Sequence, residues 1–390
     1  MNSPYPSQDS FAFELYEQQD PFKESQREGK EVVRGVATPD IGDRLVNGIS
    51  LVIHEIDDNM GHPGNECSSL ASAAVGADVH GERPVRSEYL GYYASQSRIT
   101  DPGHMAGLLA SLPNDLAELR RVARGLVIHY RGGNPLEHGV PAERMREIDT
   151  RYVETMLARL AELKSGPLTA PRSPTERLVG CCRDFTVLFL AMARAQGIPI
   201  RARVGFATYL IPGYHIDHEV AEVWDAAERR WRLVDPELAD DYTSPDGVRV
   251  DSFDLLPDAF LLAGYAWRQC RIGAADPESF IVDPGLEIKG TRGWPQIRHN
   301  LVHDLAALNK TEMLLWDTWS DSRETLTNRD LDRLDQLAEQ TSAADPDVAT
   351  LMRVYKNDPE LQVPDRVLSE DPLGGPCREV SWLSYRGGSA

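Results

Sequence analysis

The sequence predicts an α+β fold, and three observations carry that expectation. Amphipathic helical stripes fill the stretch before residue 166. Three strand-like segments follow one another between residues 200 and 235. Helical patterns then return and dominate beyond about residue 250. Runs of strands flanked by runs of helices, without βαβ alternation, favour an antiparallel sheet with helices segregated around it.

In order, residues 1–40 are polar and aperiodic and read as disordered, and 41–87 form an N-terminal extension with a Gly-rich loop. The segment "NDLAELRRVARGLVIHY" places Leu116, Leu119, Val122, Leu126 and Tyr130 on one helical stripe, with Asn114 as cap. "PAERMREIDTRYVETMLARLAELKSG" reads as one long helix from Pro141, striped by Met145, Ile148, Tyr152, Met156, Leu160 and Leu163 and ended by Gly166. A proline-punctuated loop then leads to Cys181 and Cys182.

After them, "RDFTVLFLAMARAQ" is apolar on nearly every side, as a buried helix is, and Gly197 and Pro199 end it. "IRARVGFATYLI", "HEVAEVWD" and "WRLVD" read as three strands, with "PGYHID" a loop and "AAERR" a hairpin connection. The domain reading is a core over 88–250, a mostly helical region over 251–365 and a loose tail over 366–390.

Composition narrows the function classes. The chain has 61 Asp+Glu against 41 Lys+Arg, a net charge of −20, which disfavours nucleic acid and anionic membrane surfaces as partners. No apolar run reaches the roughly 18 residues of a membrane helix, and the first residues lack the pattern of a secretory signal. With 5 cysteines in 390 residues, a disulfide framework is not expected and a reducing cytoplasm is the expected compartment.

Cys182 stands where the buried helix should begin. Unpaired amides and a partial positive charge gather there, so a lowered thiol pKa and an oxyanion site are expected. Asp184 suits the first turn as a helix-start carboxylate. A nucleophilic cysteine needs a base, and the base needs an orienting group. His218 and Asp235 fall at the outer ends of two strands that would pair across "DAAERR". His215 is a competing base in the preceding loop. Adjacent cysteines point poorly at one metal, and Asp57, Asp58 and Glu66 lack a calcium-loop pattern, so no metal or other cofactor is expected. A vicinal Cys181–Cys182 disulfide would be strained, and Cys181 reads as a small buried filler.

"GCCRD", "GIPIRARVGF", "DHEVAEVW" and "WRLVDP" together resemble the transglutaminase-like superfamily, with its G-x-C-x-D, G-I-P-A-R, H-x-W-x-E-V and W-x-x-x-D-P blocks. The core resemblance spans roughly 170–240. More loosely, flanking segments resemble a bacterial subgroup over about 88–365. The resemblance implies a papain-like core whose nucleophile helix packs on an antiparallel sheet between N- and C-terminal helices. It also implies a triad of Cys182, His218 and Asp235. The superfamily's upstream side-chain donor would fall on Gln96 as an oxyanion candidate, and Glu222 is a support candidate behind His218. One departure is Glu219, where the residue after "DH" is often Trp. The implied chemistry is acyl transfer through an enzyme thioester, from an amide or thioester donor to an amine or to water, with a non-catalytic binding protein as the alternative.

Overall fold

The computed structural model describes residues 87–286, 288–319 and 326–383, so the expected disordered segment and nearly all of the N-terminal extension lie outside the described residues. The described residues belong to one compact unit. No helix among them is long and apolar enough to cross a membrane. The fold is α+β, with helices packed around an antiparallel sheet.

Helices α1 (Ser87–Ala94) and α2 (Ala106–Leu109) lead to α3 (Leu116–Leu126). Asp115, not Asn114, caps α3 by accepting from the Glu118 amide at 2.8 Å. The expected helix through Tyr130 stops at Leu126, because β-branched Val127 and Ile128 leave it for strand β1 (Val127–His129). The expected single helix over 141–166 is also divided. A 3₁₀ helix spans Ala142–Asp149, residues 150–152 are extended, and α4 runs Val153–Leu163. The break has a partner: the buried guanidinium of Arg183 donates to the carbonyls of Thr150 and Arg151, which a continuous helix would occupy.

Strand β2 (Leu178–Gly180) pairs in parallel with β1 and runs into α5 (Cys182–Ala195). Every residue of α5 from Cys182 to Arg194 is buried, so the helix is enclosed as its composition required. Burying each Leu-, Phe- or Val-sized side chain there contributes about 1.5–3 kcal/mol of gross stabilisation. Gly197, at φ 73°, ends it in the left-handed conformation.

Three strands follow: β3 (Ile200–Ala207), β4 (His215–Asp225) and β5 (Arg230–Val234). The second starts three residues before His218, so "HID" belongs to the strand rather than to the loop. The chain continues through β6 (Phe260–Leu262), α6 (Ala263–Arg271), β7 (Phe280–Ile281), α7 (Gly293–Leu308), β8 (Asp317–Thr318), α8 (Asn328–Thr341), α9 (Val348–Asn357), β9 (Arg366–Ser369) and β10 (Arg378–Ser381).

The main sheet has the order β5-β4-β3-β6, with β7 added in parallel to β4. A domain boundary at 251 therefore does not hold, since β6 and β7 complete the sheet begun by β3 and β4. The expected loose tail is also corrected: β9 and β10 join β8 in a second sheet, and the Trp382 indole N–H donates to Pro364 O at 2.6 Å. Hydrophobic anchoring of Val367 and Trp382 in the main core fixes the segment.

One feature of register matters for the site. On the edge of β4 away from β3, β7 pairs only with His215 and Ile216, and β5 only with Ala221–Asp225. The edge from Asp217 to Val220 is left open between them, and His218 lies in that notch. Across β4, His218 faces Gly205 of β3. A Cβ at Gly205 would overlap the carbonyl oxygen of Leu261 and the Phe260 ring, so a side chain there would pry β6 from β3. Gly205→Ala is expected to destabilise the fold by about 1–3 kcal/mol, read as a lowered Tm, through overpacking. An unchanged Tm would show that the β3–β6 contact is looser than described.

Candidate active site

The turn into α5 is built around a contact between Gly180 and Asp184. The Asp184 carboxylate folds back to accept the Cys181 amide at 2.9 Å, satisfying a donor at the helix start. In doing so it crosses over Gly180, where a Cβ would lie 2.7 Å from Asp184 Oδ2. The glycine and the aspartate of "GCCRD" are thus one device, and Asp184 is the helix-start carboxylate expected. Arg183 holds the other carboxylate oxygen at 3.0 Å and donates to Glu312 O. Cys182 is the first helical residue and is buried, at 5% exposure.

His218 and Asp235 meet as the strand pairing required. Their Nε2 and Oδ2 atoms are 2.9 Å apart, and both side chains are buried. Asp235 is fully enclosed. The Tyr209 hydroxyl donates to the same oxygen at 2.6 Å, and the Glu237 amide donates to Oδ1 at 2.8 Å. Arg120 holds the backbone, donating from Nε to Asp235 O at 2.7 Å. Although burial opposes the charged carboxylate, His218 and these donors together hold Asp235 below its ordinary pKa. Since a carboxylate only accepts, His218 donates its Nε2–H and keeps Nδ1 as its basic nitrogen. Burial opposes the imidazolium, but the Asp235 charge and hydrogen bond, with Glu237 and Asp217, raise His218 above the usual imidazole value.

Cys182 and His218 share electrostatic neighbours. Asp217 and Glu237 act electrostatically on both. Among the described residues no hydrogen bond joins Cys182 Sγ to His218. The thiol pKa departs from expectation: contact with the Cys181 thiol, burial and the two carboxylates push it well above the ordinary value rather than below it. The helix start thus does not lower this thiol as expected, and its raised proton affinity favours the neutral form. The two carboxylates are themselves shifted by burial, Asp217 to about 6 and Glu237 to about 7.

Other expectations are corrected by position. Gln96 donates to Ala191 O at 2.9 Å, nine residues along α5 from Cys182 and so roughly 14 Å from its tip. It braces the helix midway and stands apart from the thiol. Glu222 lies within the sheet, as expected, but binds Arg201 at 2.6 Å and Arg203 at 2.9 Å rather than supporting His218. His215 stacks on Phe280 and contacts Ser279 Oγ, outside the pocket. Glu219 is buried, and burial pushes its carboxyl well up. Counted along H-x-W-x-E-V, the position two after the histidine is Val220, so Val220, packed with Tyr209 and Phe260, stands on the histidine's face where the motif has Trp.

Sequence reasoning missed Tyr209, Arg120, Asp217, Glu237 and His129. Tyr209 follows β3 in the loop before β4, and Arg120 sits on α3 on what reads as the polar side of the helical stripe; no spacing pointed to either.

The His218–Asp235 geometry predicts a measurable titration. The His218 imidazole should titrate above the ordinary range by NMR, with Nε2–H retained in the neutral form. Asp235→Asn removes the charge that favours the imidazolium, so it should lower the proton affinity of His218 roughly tenfold or more. A titration unmoved by that substitution would contradict the coupling.

Comparison with known families matches residues 138–236 to the Transglutaminase-like superfamily. No curated protein is matched. A solved structure named a "Putative Cysteine Protease", from Cytophaga hutchinsonii, aligns at 18% identity over 42% of this chain and 45% of that one, with a TM-score of 0.25. The chain thus spans less than half of that protein, and a likeness at that score does not define a fold. The family match encloses the β2–α5 turn, the first three strands of the main sheet, and Cys182, His218 and Asp235, so this part of the chain is similar to the Transglutaminase-like superfamily.

Proposed function

We propose that the protein is a cysteine-dependent acyl-transfer enzyme with Cys182 as nucleophile, His218 as general base and Asp235 as the residue that orients it. The observation that supports this reading is the buried His218–Asp235 pair, whose imidazole has two electrostatic neighbours, Asp217 and Glu237, in common with the cysteine that opens α5. Fixing Nε2–H toward Asp235 leaves Nδ1 available for the thiol proton.

The neutral resting thiol favours proton removal during attack over a standing thiolate–imidazolium pair. Sulfur bonds to the carbonyl carbon of an amide or thioester donor as His218 takes the thiol proton. The carbonyl electrons move to oxygen, facing the amide at the α5 start. As the carbonyl re-forms, the bond to the leaving group breaks and His218 returns the proton to it, leaving a thioester on Cys182. An amine or water then attacks the thioester while His218 removes its proton and passes it to the departing sulfur.

Intact-mass spectrometry after incubation with a pool of amide and thioester donors tests this reading. A Cys182-linked acyl mass is expected, absent in Cys182→Ala and reduced about 10³-fold or more in formation rate in His218→Ala. Adduct formation that survives Cys182→Ala would overturn the assignment. Product masses after addition of a primary amine then separate amide formation from hydrolysis.

A further inference from the structure

We propose that His129 donates its Nε2–H to the oxyanion formed during acylation of Cys182, taking the place of the upstream donor that Gln96 does not provide. This rests on the acyl-transfer reading above. Three independent observations support it.

The first is placement. In the parallel β1–β2 pair, His129 is directly opposite Gly180, and the Tyr130 amide donates to Gly180 O at 2.8 Å. Paired strands lie about 4.8 Å apart, so His129 neighbours the backbone that reaches Cys182 two residues later. His218 acts electrostatically on His129.

The second is orientation. His129 Nδ1 accepts the amides of Arg131 at 3.2 Å and Gly132 at 3.0 Å. A nitrogen that accepts two N–H groups carries no proton, so the hydrogen is on Nε2. The turn that supplies these amides is built to approach closely. A Cβ on Gly133 would lie 2.7 Å from His129 O, and Asn134 takes a positive φ of 44°. Among the described residues nothing accepts from His129 Nε2.

The third is charge. Burial, His218 and Arg131 drive the His129 pKa down to about 3, so the ring is a neutral donor at every working pH. A neutral donor stabilises the oxyanion without competing with Asp235 for the charge on His218. The Cys182 amide, at the first position of α5, supplies the second donor.

Two reactions of Cys182 separate this role from a structural one. Acylation by p-nitrophenyl acetate passes through an oxyanion: the S–C bond forms, the C–O bond breaks, nitrophenolate leaves and the thiol proton goes to His218. Alkylation by iodoacetamide forms no oxyanion. His129→Ala is expected to slow the nitrophenolate burst by about 10–10³-fold while changing alkylation of Cys182 by less than about 2-fold. His129→Phe, which fills the ring volume but cannot donate, should behave like alanine, and His129→Gln should restore part of the acylation rate. Cys182→Ala supplies the background for both reactions. If acylation and alkylation fall together in all three variants, or if neither falls, His129 is not the donor. Wild-type protein alkylated but not acylated at Cys182 would also overturn the proposal. If wild-type Cys182 is neither acylated nor alkylated, the acyl-transfer reading itself fails, a result distinct from those.

Discussion

The buried carboxylate of Asp235 is the constraint around which the pocket is organised. A charge removed from water is tolerated only when its lone pairs are taken. Here Tyr209, His218 and backbone amides take them, while Arg120 fixes the adjoining carbonyl. Each donor comes from a different part of the chain: α3, the loop after β3, the β4 strand and the turn after β5. Holding this one residue therefore fixes the relative positions of four segments, and the histidine's tautomer follows from it.

The same dry interior acts against the cysteine. Enclosing α5 on all sides secures it, but the neighbouring Cys181 thiol, desolvation and two carboxylates raise the thiol's proton affinity. The field of a helix start, worth up to about 2 kcal/mol in favourable geometries, works against that rise.

Much of this was legible in the sequence where periodicity or a short local motif carried it. The enclosed helix after Cys182 was plain from its composition, and the three strands were plain from alternation and the "DAAERR" connection, which brought His218 to Asp235. The failures share a cause. The helix predicted through residue 150 breaks because Arg183, distant in sequence, takes the carbonyls of Thr150 and Arg151. The apparent tail is ordered by a sheet partner some fifty residues earlier. Gln96 matched a family expectation, yet its amide is spent on Ala191. Likewise, the pocket residues Tyr209, Arg120 and Glu237 carry no spacing signal, because their role comes only from tertiary placement.

The overlap between Gly180 and Asp184 ties two positions into a single choice. Any side chain at 180 displaces the carboxylate that takes the Cys181 amide, and any longer acid at 184 reaches past that amide. Neither residue can drift alone without loosening the first turn of α5. In a set of related chains, the two positions should therefore change together or remain unchanged, even though neither side chain takes part in bond making.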